Sequence, residues 1–319
     1  MSYKVVFFGT PDFSVPSLKC LLEHNEINVC AVVSMPDRPA GRGKKLKTPP
    51  VAEAAKENGL KLFQTENVNK DEEFLEFLKN EDVDFMVVIA FAQFLGKKVL
   101  ESSKFGAFNI HTSLLPKYRG AAPIQYAILN GDKETGVSIQ KMVKKMDAGD
   151  ICYEHKVTIE PNDTSETLFN KLQTEAASGL KSFIDHFISN SGEIEFRPQD
   201  PEHVSFAPTI KKVDGLINPY KESANQIINK LRAYTPWPGC HLYLNDFRIK
   251  VLELEPFPKK LNPGEIDTSM GSLVLGTVEG ALHLKTVQPD GKKAQADSNF
   301  LNGIKSKGIT LEINKEHYV

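Results

Sequence analysis

Short, uninterrupted apolar runs recur through the first half of the chain, and they are separated by polar segments. The clearest runs are Lys4–Phe8, Val29–Val33 and Phe85–Ala90. Runs of this length are typical of strands that are buried on both faces, as in parallel sheets covered by helices. Between them, Asp71–Asn80 places its apolar residues on one face of a helix. The pattern therefore predicts an α/β domain built on a parallel sheet.

The pattern changes beyond a polar stretch, residues 190–201, that is rich in glycine and proline. One helix is predicted there, over Ser223–Tyr234, and the other apolar segments alternate as short strands. The predicted strands are Cys240–Leu244, Arg248–Glu253, Ser272–Val278, Ala281–Val287 and Gly308–Ile313. Several short strands in so few residues indicate a small β-barrel. We expect a first domain over residues 1–190, a linker over 191–207 and a second domain over 208–319.

Composition limits the class of protein but does not identify it. The chain has 319 residues, 40% of them hydrophobic and 25% charged, with a net charge of -2. These values are ordinary for a globular protein, so a polyanionic partner would have to be held by a local patch. The four cysteines lack the spacing of metal ligands and are interpreted as reduced thiols. With no signal pattern and no long apolar run, we expect a cytoplasmic protein without membrane attachment.

The turn after the first strand, Gly9–Phe13, contains a single glycine. It lacks the Gly-x-Gly-x-x-Gly pattern that lets the backbone approach a pyrophosphate. This counts against a dinucleotide cofactor, and therefore against a nicotinamide dehydrogenase.

A cationic segment follows the second predicted strand. It holds five cations and has no acid between Asp37 and Glu53. The cations are Arg38, Arg42, Lys44, Lys45 and Lys47. Its prolines and glycines predict a long loop without regular structure. The segment is either a solvated basic loop or, because arginine forks and exposed backbone suit phosphates, a phosphate-contacting loop.

Candidate chemistry lies at the end of the predicted strand Gly106–Ile110. Because side chains alternate along a strand, Asn109 and His111 leave it on the same face. Histidine suits proton transfer near neutral pH, and an asparagine amide can donate to an oxyanion. Asp147 would orient the imidazole, although Asp-Ala-Gly-Asp is also ordinary turn chemistry. An isolated Asn-x-His is more often a capped strand with a satisfied histidine.

The residues beside His111 do not supply an evident nucleophile. Ser113 is the nearest candidate, and it lacks the Gly-x-Ser-x-Gly turn that exposes a nucleophilic serine. This favours direct attack of a substrate nucleophile on a carbonyl, without a covalent enzyme intermediate.

Four motifs carry a resemblance to a known family. They are Asn109-Ile-His111, Ser113-Leu-Leu-Pro116, Arg119-Gly-Ala-Ala-Pro123 and Asp147-x-Gly-Asp150. Together they resemble the formyltransferases that use 10-formyltetrahydrofolate. The basic segment, the opening Phe8–Phe13, the Pro236-Trp237-Pro238 turn and Gln288–Lys293 are similar to those members that formylate methionyl initiator tRNA.

This resemblance implies a Rossmann-like, parallel-sheet formyltransferase domain followed by a small OB-like β-barrel that binds tRNA. It implies 10-formyltetrahydrofolate as co-substrate, no metal, methionyl initiator tRNA as acceptor, and a monomer. The residues carried over are Asn109, His111 and Asp147 as catalytic, Ser113, Leu114, Leu115 and Pro116 as folate-binding, and Arg38, Arg42, Lys44 and Lys45 as tRNA-binding.

Two alternatives stay open on the residues alone. The first is another folate formyltransferase, or a hydrolase of formyl-folate, because the catalytic trio does not separate these reactions. The second is a nucleic-acid-binding module on an enzyme fold that has lost its activity. The basic segment and the second domain favour an RNA acceptor over a small amine, and the complete trio argues against lost activity.

Overall fold

The computed structural model describes residues 2–40 and 45–318 of the chain. The chain divides into two compact units. The first unit comprises Met1–Pro123, Glu134–Thr158 and Phe169–Ala207. The second comprises Ile124–Lys133, Ile159–Leu168 and Pro208–Val319. Each unit is described by itself below.

The strands of the first unit are numbered in chain order. They are β1 (Tyr3–Gly9), β2 (Ile27–Ser34), β3 (Arg38–Ala40), β4 (Lys45–Lys47), β5 (Leu62–Gln64), β6 (Phe85–Ile89), β7 (Gly106–His111), β8 (Arg119–Gly120), β9 (Glu134–Lys141), β10 (Ile151–Thr158) and β11 (Phe206–Ala207). The α-helices among the described residues of both units are α1 (Val15–Leu22), α2 (Pro50–Glu57), α3 (Glu72–Asn80), α4 (Lys97–Leu100), α5 (Pro123–Leu129), α6 (Ser165–Ser189), α7 (Ala224–Ala233) and α8 (Asp297–Lys305).

Seven strands of the first unit form one sheet in the order β10-β9-β7-β6-β1-β2-β5. The strands β5, β2, β1, β6 and β7 are parallel, and β9 and β10 are added in antiparallel fashion. The predicted parallel α/β domain is confirmed. All the parallel strands end at one edge of the sheet, which is where ligands bind in open α/β folds.

The core of the first unit follows from the apolar runs. Strand β6 is buried at every position, as are the last five residues of β1. Helix α3 packs Phe74 against Phe8, with ring centroids 5.8 Å apart in an edge-to-face arrangement. The helix begins where the Asp71 carboxylate accepts the Phe74 N–H, so its predicted amphipathic face and its cap are both present.

The basic segment differs from the prediction. Arg38–Ala40 and Lys45–Lys47 pair as a short antiparallel hairpin, so the expected absence of regular structure is wrong at both ends. Proline is tolerated there because β3 and β4 form a two-stranded sheet of their own. Residues 41–44, which include Arg42 and Lys44, lie outside the described residues.

The second unit is built on antiparallel strands. They are β12 (Cys240–Leu244), β13 (Phe247–Phe257), β14 (Ile266–Asp267), β15 (Val274–Gly276), β16 (Ala281–Pro289) and β17 (Gln295–Ala296). The sheet order is β12-β13-β16-β15-β14, with β17 on β16. Helix α7 begins at a capping box in which Ser223 and Gln226 exchange hydrogen bonds. The predicted order, an α/β domain followed by a small β domain, is confirmed, and the strands of the second domain are antiparallel.

One predicted strand of the second unit is wrong. Between Gly308 and Ile313 only an isolated bridge forms, from Ile313 to Leu244. Helix α8, just before this segment, is a second helix where only one is predicted; its Phe300 and Ile304 recur at helical spacing and are buried.

The four cysteines are free thiols. Burial raises the pKa of Cys152 and Cys240 to about 12, so both stay protonated at neutral pH. Within the part of the chain that the structure describes, no helix has both the length and the apolar character needed to cross a bilayer.

Candidate functional site at the edge of the parallel sheet

Strand β7 carries Asn109 and His111 to the carboxyl edge of the sheet. Asn109 lies opposite Gln140 of β9, and His111 lies opposite Ser138. Directly opposed residues of an antiparallel pair project from the same face, so these four side chains share one face of the sheet. His111 is buried, whereas Asn109 is half-buried. Among the described residues, the Asn109 amide has no hydrogen-bond partner, so its donors are available to a ligand.

The His111 imidazole is held through one nitrogen. Its Nε2 lies 2.9 Å from the Tyr118 carbonyl oxygen. A carbonyl only accepts, so Nε2 carries a proton and donates it to this bond. Nδ1 is then the atom that gains or loses a proton, and it faces the Asp147 Oδ1 at 3.9 Å. This separation is an ion-pair distance rather than a hydrogen bond.

The Asp147 carboxylate accepts hydrogen bonds from two donors. Its Oδ2 accepts the Gly120 N–H at 2.9 Å, and its Oδ1 accepts from Gln140 Nε2 at 3.2 Å. The Asp147 backbone is left-handed, with φ of 48°. Aspartate tolerates this conformation better than most residues, and here it directs the carboxylate toward the imidazole. The structure thus brings His111 and Asp147 together beside Asn109.

The Asp-Ala-Gly-Asp turn requires its glycine. A Cβ on Gly149 would lie 1.7 Å from the Lys141 carbonyl oxygen, so no other residue fits without moving the backbone. The Gly149 N–H donates to Gln140 Oε1 at 3.0 Å. The Gln140 amide therefore holds both the backbone of this turn and the carboxylate that leaves it.

The four predicted folate-binding residues form a tight turn directly after β7. The side chains of Ser113 and Leu115 are buried, whereas Leu114 and Pro116 are half-buried. The Ser113 hydroxyl donates to the Lys117 carbonyl at 2.6 Å, and the Leu115 N–H donates to the Ser138 hydroxyl at 3.0 Å. Ser113 and Leu115 therefore shape the turn, and a bound ligand would meet Leu114, Pro116 or the backbone.

The basic hairpin leaves the same edge of the sheet, because it follows the end of β2. Its base is fixed by Asp37, which accepts from Gln64 Nε2 at 2.7 Å and from the Thr48 hydroxyl at 3.0 Å. These hydrogen bonds, the one from Gln64 foremost, lower the pKa of Asp37. Arg38 forms an exposed ion pair with Glu66 at 2.7 Å, and Lys45 is exposed.

Sequence reasoning missed the residues that hold His111 and Asp147 in place. They are Tyr118, Gln140 and Gln199, together with Arg119, which appeared only as part of a motif. Gln140 left one usable signal, the period of two that places it on the same face of its strand as Ser138. Gln199 left none, because it lies in a polar segment that was predicted to be a linker.

No group of three or more His, Cys, Asp or Glu residues with metal-binding geometry occurs within residues 2–40 and 45–318. The arrangement consists of a histidine with one free nitrogen, a carboxylate that can stabilise its charged form, and an amide with free donors. Such a set suits proton transfer combined with stabilisation of an oxyanion.

Comparison with known proteins defines the class. The formyl transferase family model matches residues 3–184, and the model of the formyl transferase C-terminal domain matches residues 209–305. The chain belongs to the formyl transferase family.

Its relatives narrow the class further. The chain is 41% identical over 305 residues to methionyl-tRNA formyltransferase of Thermodesulfovibrio yellowstonii, covering 96% of this chain and 97% of that protein. It is 42% identical over 314 residues to the methionyl-tRNA formyltransferase of Streptococcus pneumoniae, covering 98% of each.

A solved sugar 3N-formyl transferase, crystallised in the presence of dTDP and 5-N-formyl-THF, shares the fold. Its TM-score is 0.66 at 21% identity, with 92% of this chain and all of that chain covered.

Proposed function

We propose that this protein transfers the formyl group of 10-formyltetrahydrofolate to the α-amino group of methionyl initiator tRNA. The product is N-formylmethionyl-tRNA for the initiation of translation. The observation that carries the proposal is the His111 imidazole, tied through Nε2 and open through Nδ1 beside Asp147. The full-length similarity to proteins named methionyl-tRNA formyltransferase supports the choice of acceptor.

The reaction needs one proton to move between two nitrogens. An α-amino group has a pKa of about 7.7–8.0, so an uncharged amine is available near neutral pH. The amine attacks the formyl carbon, and a C–N bond forms as the carbonyl oxygen becomes an oxyanion. Collapse of this intermediate breaks the bond to the folate nitrogen. The amine has then lost one proton and the folate nitrogen has gained one.

Each residue of the trio has one task in this scheme. The Asn109 amide donates to the oxyanion; the loss of one such donor costs about 10²–10³ in rate. His111 Nδ1 accepts the proton from the amine and delivers it to the folate nitrogen. Asp147 stabilises the imidazolium that exists between these two steps. No enzyme atom bonds to the formyl carbon, so no covalent intermediate is required.

The folate is assigned to the turn Ser113–Pro116, next to His111, with Leu114 and Pro116 as its surface. The RNA is assigned to the basic hairpin, through Arg38, Arg42, Lys44 and Lys45. The catalytic domain is assigned to residues 1–190. The second domain, residues 208–319, takes part in tRNA binding, and residues 191–207 connect the two domains. We further propose a cytoplasmic monomer.

The direct test is incubation of the protein with methionyl-tRNA and formyl-labelled 10-formyltetrahydrofolate. We expect label on the aminoacyl end, recovered as N-formylmethionine. Two other acceptors, an amino sugar nucleotide and water alone, distinguish an RNA acceptor from a small amine and from hydrolysis. Label transfer to the sugar, or release of formate without transfer, would contradict the proposal.

The cationic hairpin is tested by the salt dependence of tRNA binding. Arg38→Ala, Arg42→Ala and Lys45→Ala should each weaken binding and reduce the slope of log K against log salt by about 1. Folate binding should stay unchanged. Lys79→Ala is the control, because this exposed residue lies in the last turn of α3, just before β6 begins at the opposite edge of the sheet. Equal salt slopes in the parent and all three variants would remove the hairpin from the RNA site.

A further inference from the structure

We propose that Gln199 is a positioning residue for formyl transfer. Its side-chain amide joins the two backbone segments that hold His111 and Asp147. The inference deepens the proposed function and rests on it.

The amide oxygen of Gln199 contacts the first of these segments. It accepts from Arg119 Nε at 3.0 Å and from Arg119 Nη2 at 2.7 Å. Arg119 is only 6% exposed, so its guanidinium is fixed by this contact. Arg119 stands between Tyr118, whose carbonyl accepts from His111, and Gly120, whose N–H donates to Asp147. Holding Arg119 therefore holds the backbone groups that orient both partners.

The amide nitrogen of Gln199 contacts the second segment. It donates to the Asp147 carbonyl at 2.9 Å and to the Gly149 carbonyl at 2.7 Å. The same nitrogen also donates to Gln140 Oε1, at 3.3 Å. Two carbonyls of one turn thus share one donor group. Because Asp147 has a left-handed backbone, these bonds hold it in the conformation that aims its carboxylate at the imidazole.

Only one orientation of the Gln199 amide satisfies these partners. Arginine can only donate and carbonyls can only accept, so the oxygen must face Arg119 and the nitrogen must face the turn. Gln199 is half-buried, whereas its neighbours Pro198 and Asp200 are exposed. It is therefore turned inward from a polar segment, toward Arg119 and the turn that carries Asp147.

Glutamate at this position separates the two contacts. In Gln199→Glu the carboxylate still accepts from Arg119, so the buried guanidinium keeps a partner. The N–H donors to Asp147 and Gly149 are lost, and a negative charge faces two carbonyl oxygens. The left-handed turn then loses its restraint while the Arg119 segment keeps its own. Gln226→Glu is the matched control, because glutamate serves equally in the capping box of α7.

The first measurement is steady-state formyl transfer. We expect Gln199→Glu to lower kcat by about 10- to 100-fold, with KM for both substrates changed by less than about threefold. In an Asp147→Asn background the same change should lower kcat by less than about threefold, because its effect passes through Asp147. The proposal would be overturned if Gln199→Glu lowered kcat by the same factor in the parent and in the Asp147→Asn background. It would also be overturned if Gln199→Glu had the kcat of the parent. Gln199→Met, which keeps the length of the side chain, repeats the test; if neither variant folds, the residue serves stability and the proposal fails.

The second measurement needs no substrate. The ¹⁵N signal of His111 Nδ1, assigned by its absence in His111→Ala, should shift in Gln199→Glu at fixed neutral pH and stay in place in Gln226→Glu. An unchanged signal would overturn the positioning role. If the parent fails to formylate methionyl-tRNA but the signal shifts as expected, the proposed acceptor is wrong and the role of Gln199 stands.

Discussion

The charge on Asp147 can be removed with little change in shape. Asp147→Asn keeps an oxygen that accepts the Gly120 N–H, and it keeps a residue type that tolerates a left-handed backbone. What is lost is the attraction between the carboxylate and the imidazolium, whose charged atoms lie 3.9 Å apart, together with the hydrogen bond that Oδ1 accepts from Gln140. At this distance two unit charges attract by about 1 kcal/mol in water and about 4 kcal/mol near a protein surface.

Burial selects the upper part of that range. The side chains of His111 and Asp147 are 8% and 13% exposed, so little solvent screens the pair. Each factor of ten in rate corresponds to about 1.4 kcal/mol, so kcat should fall by about 10²–10³ if the imidazolium forms in the transition state.

The assay is formyl transfer to methionyl-tRNA at saturating folate, with the free energy of unfolding measured on the same samples. KM should change little, because the carboxylate faces the imidazole rather than a substrate. Asp82→Asn is the control: it neutralises an exposed carboxylate just before β6, and its kcat should equal that of the parent. A well-folded Asp147→Asn variant with a kcat within about twofold of the parent would refute the ion-pair mechanism.

Two further predictions concern stability. Burial, aided by Arg248, lowers the pKa of His241 to about 4, so the folded state resists a proton that the unfolded chain accepts near 6.5. The parent should therefore lose up to about 3 kcal/mol of unfolding free energy as the pH falls from 6.5 to 4, and His241→Gln, followed by urea titration, should lack this component. Gly149→Ala should cost more than about 2 kcal/mol because its Cβ meets the Lys141 carbonyl at 1.7 Å. Gly303→Ala, on α8 with open space around its Cβ, should stabilise by about 0.5–1 kcal/mol, and thermal unfolding of both variants checks the contrast.

The central sheet was predictable because its signal is local. Continuous apolar runs mark β1, β2 and β6 without reference to the rest of the chain. The period of two along β7 was enough to place Asn109 and His111 on one face. Both predictions use only the geometry of a strand, which does not depend on distant residues.

The remainder of the site depends on distant residues and was not predictable in the same way. Asp147 reaches His111 only through a left-handed turn, and the sequence around Asp147 does not determine the direction of that turn. Gln199 lies 59 residues beyond Gln140, with which it shares contacts. The two short strands of the hairpin, Arg38–Ala40 and Lys45–Lys47, were not predicted. Their pairing overrides the weak strand propensity of a segment rich in proline and glycine.

The segment between Tyr118 and Gly120 explains how such a site keeps its geometry. The Tyr118 carbonyl holds the imidazole and the Gly120 N–H holds the carboxylate, so one short stretch of backbone orients both partners. A displacement of this stretch would therefore disturb the imidazole ring and the carboxylate at once.

The backbone of His111 is fixed relative to Asn109 by β7, which carries both residues. The stretch from Tyr118 to Gly120 is held by β11, where Phe206 pairs with Arg119 and Ala207 with Gly120, and by the Ser205 hydroxyl, which accepts the Tyr118 N–H at 2.9 Å. The chain segment that supplies Gln199 thus sets how the imidazole ring and the Asp147 carboxylate are turned at the end of β7. A substitution that loosens β11 should therefore impair formyl transfer while β7 and the position of Asn109 are preserved.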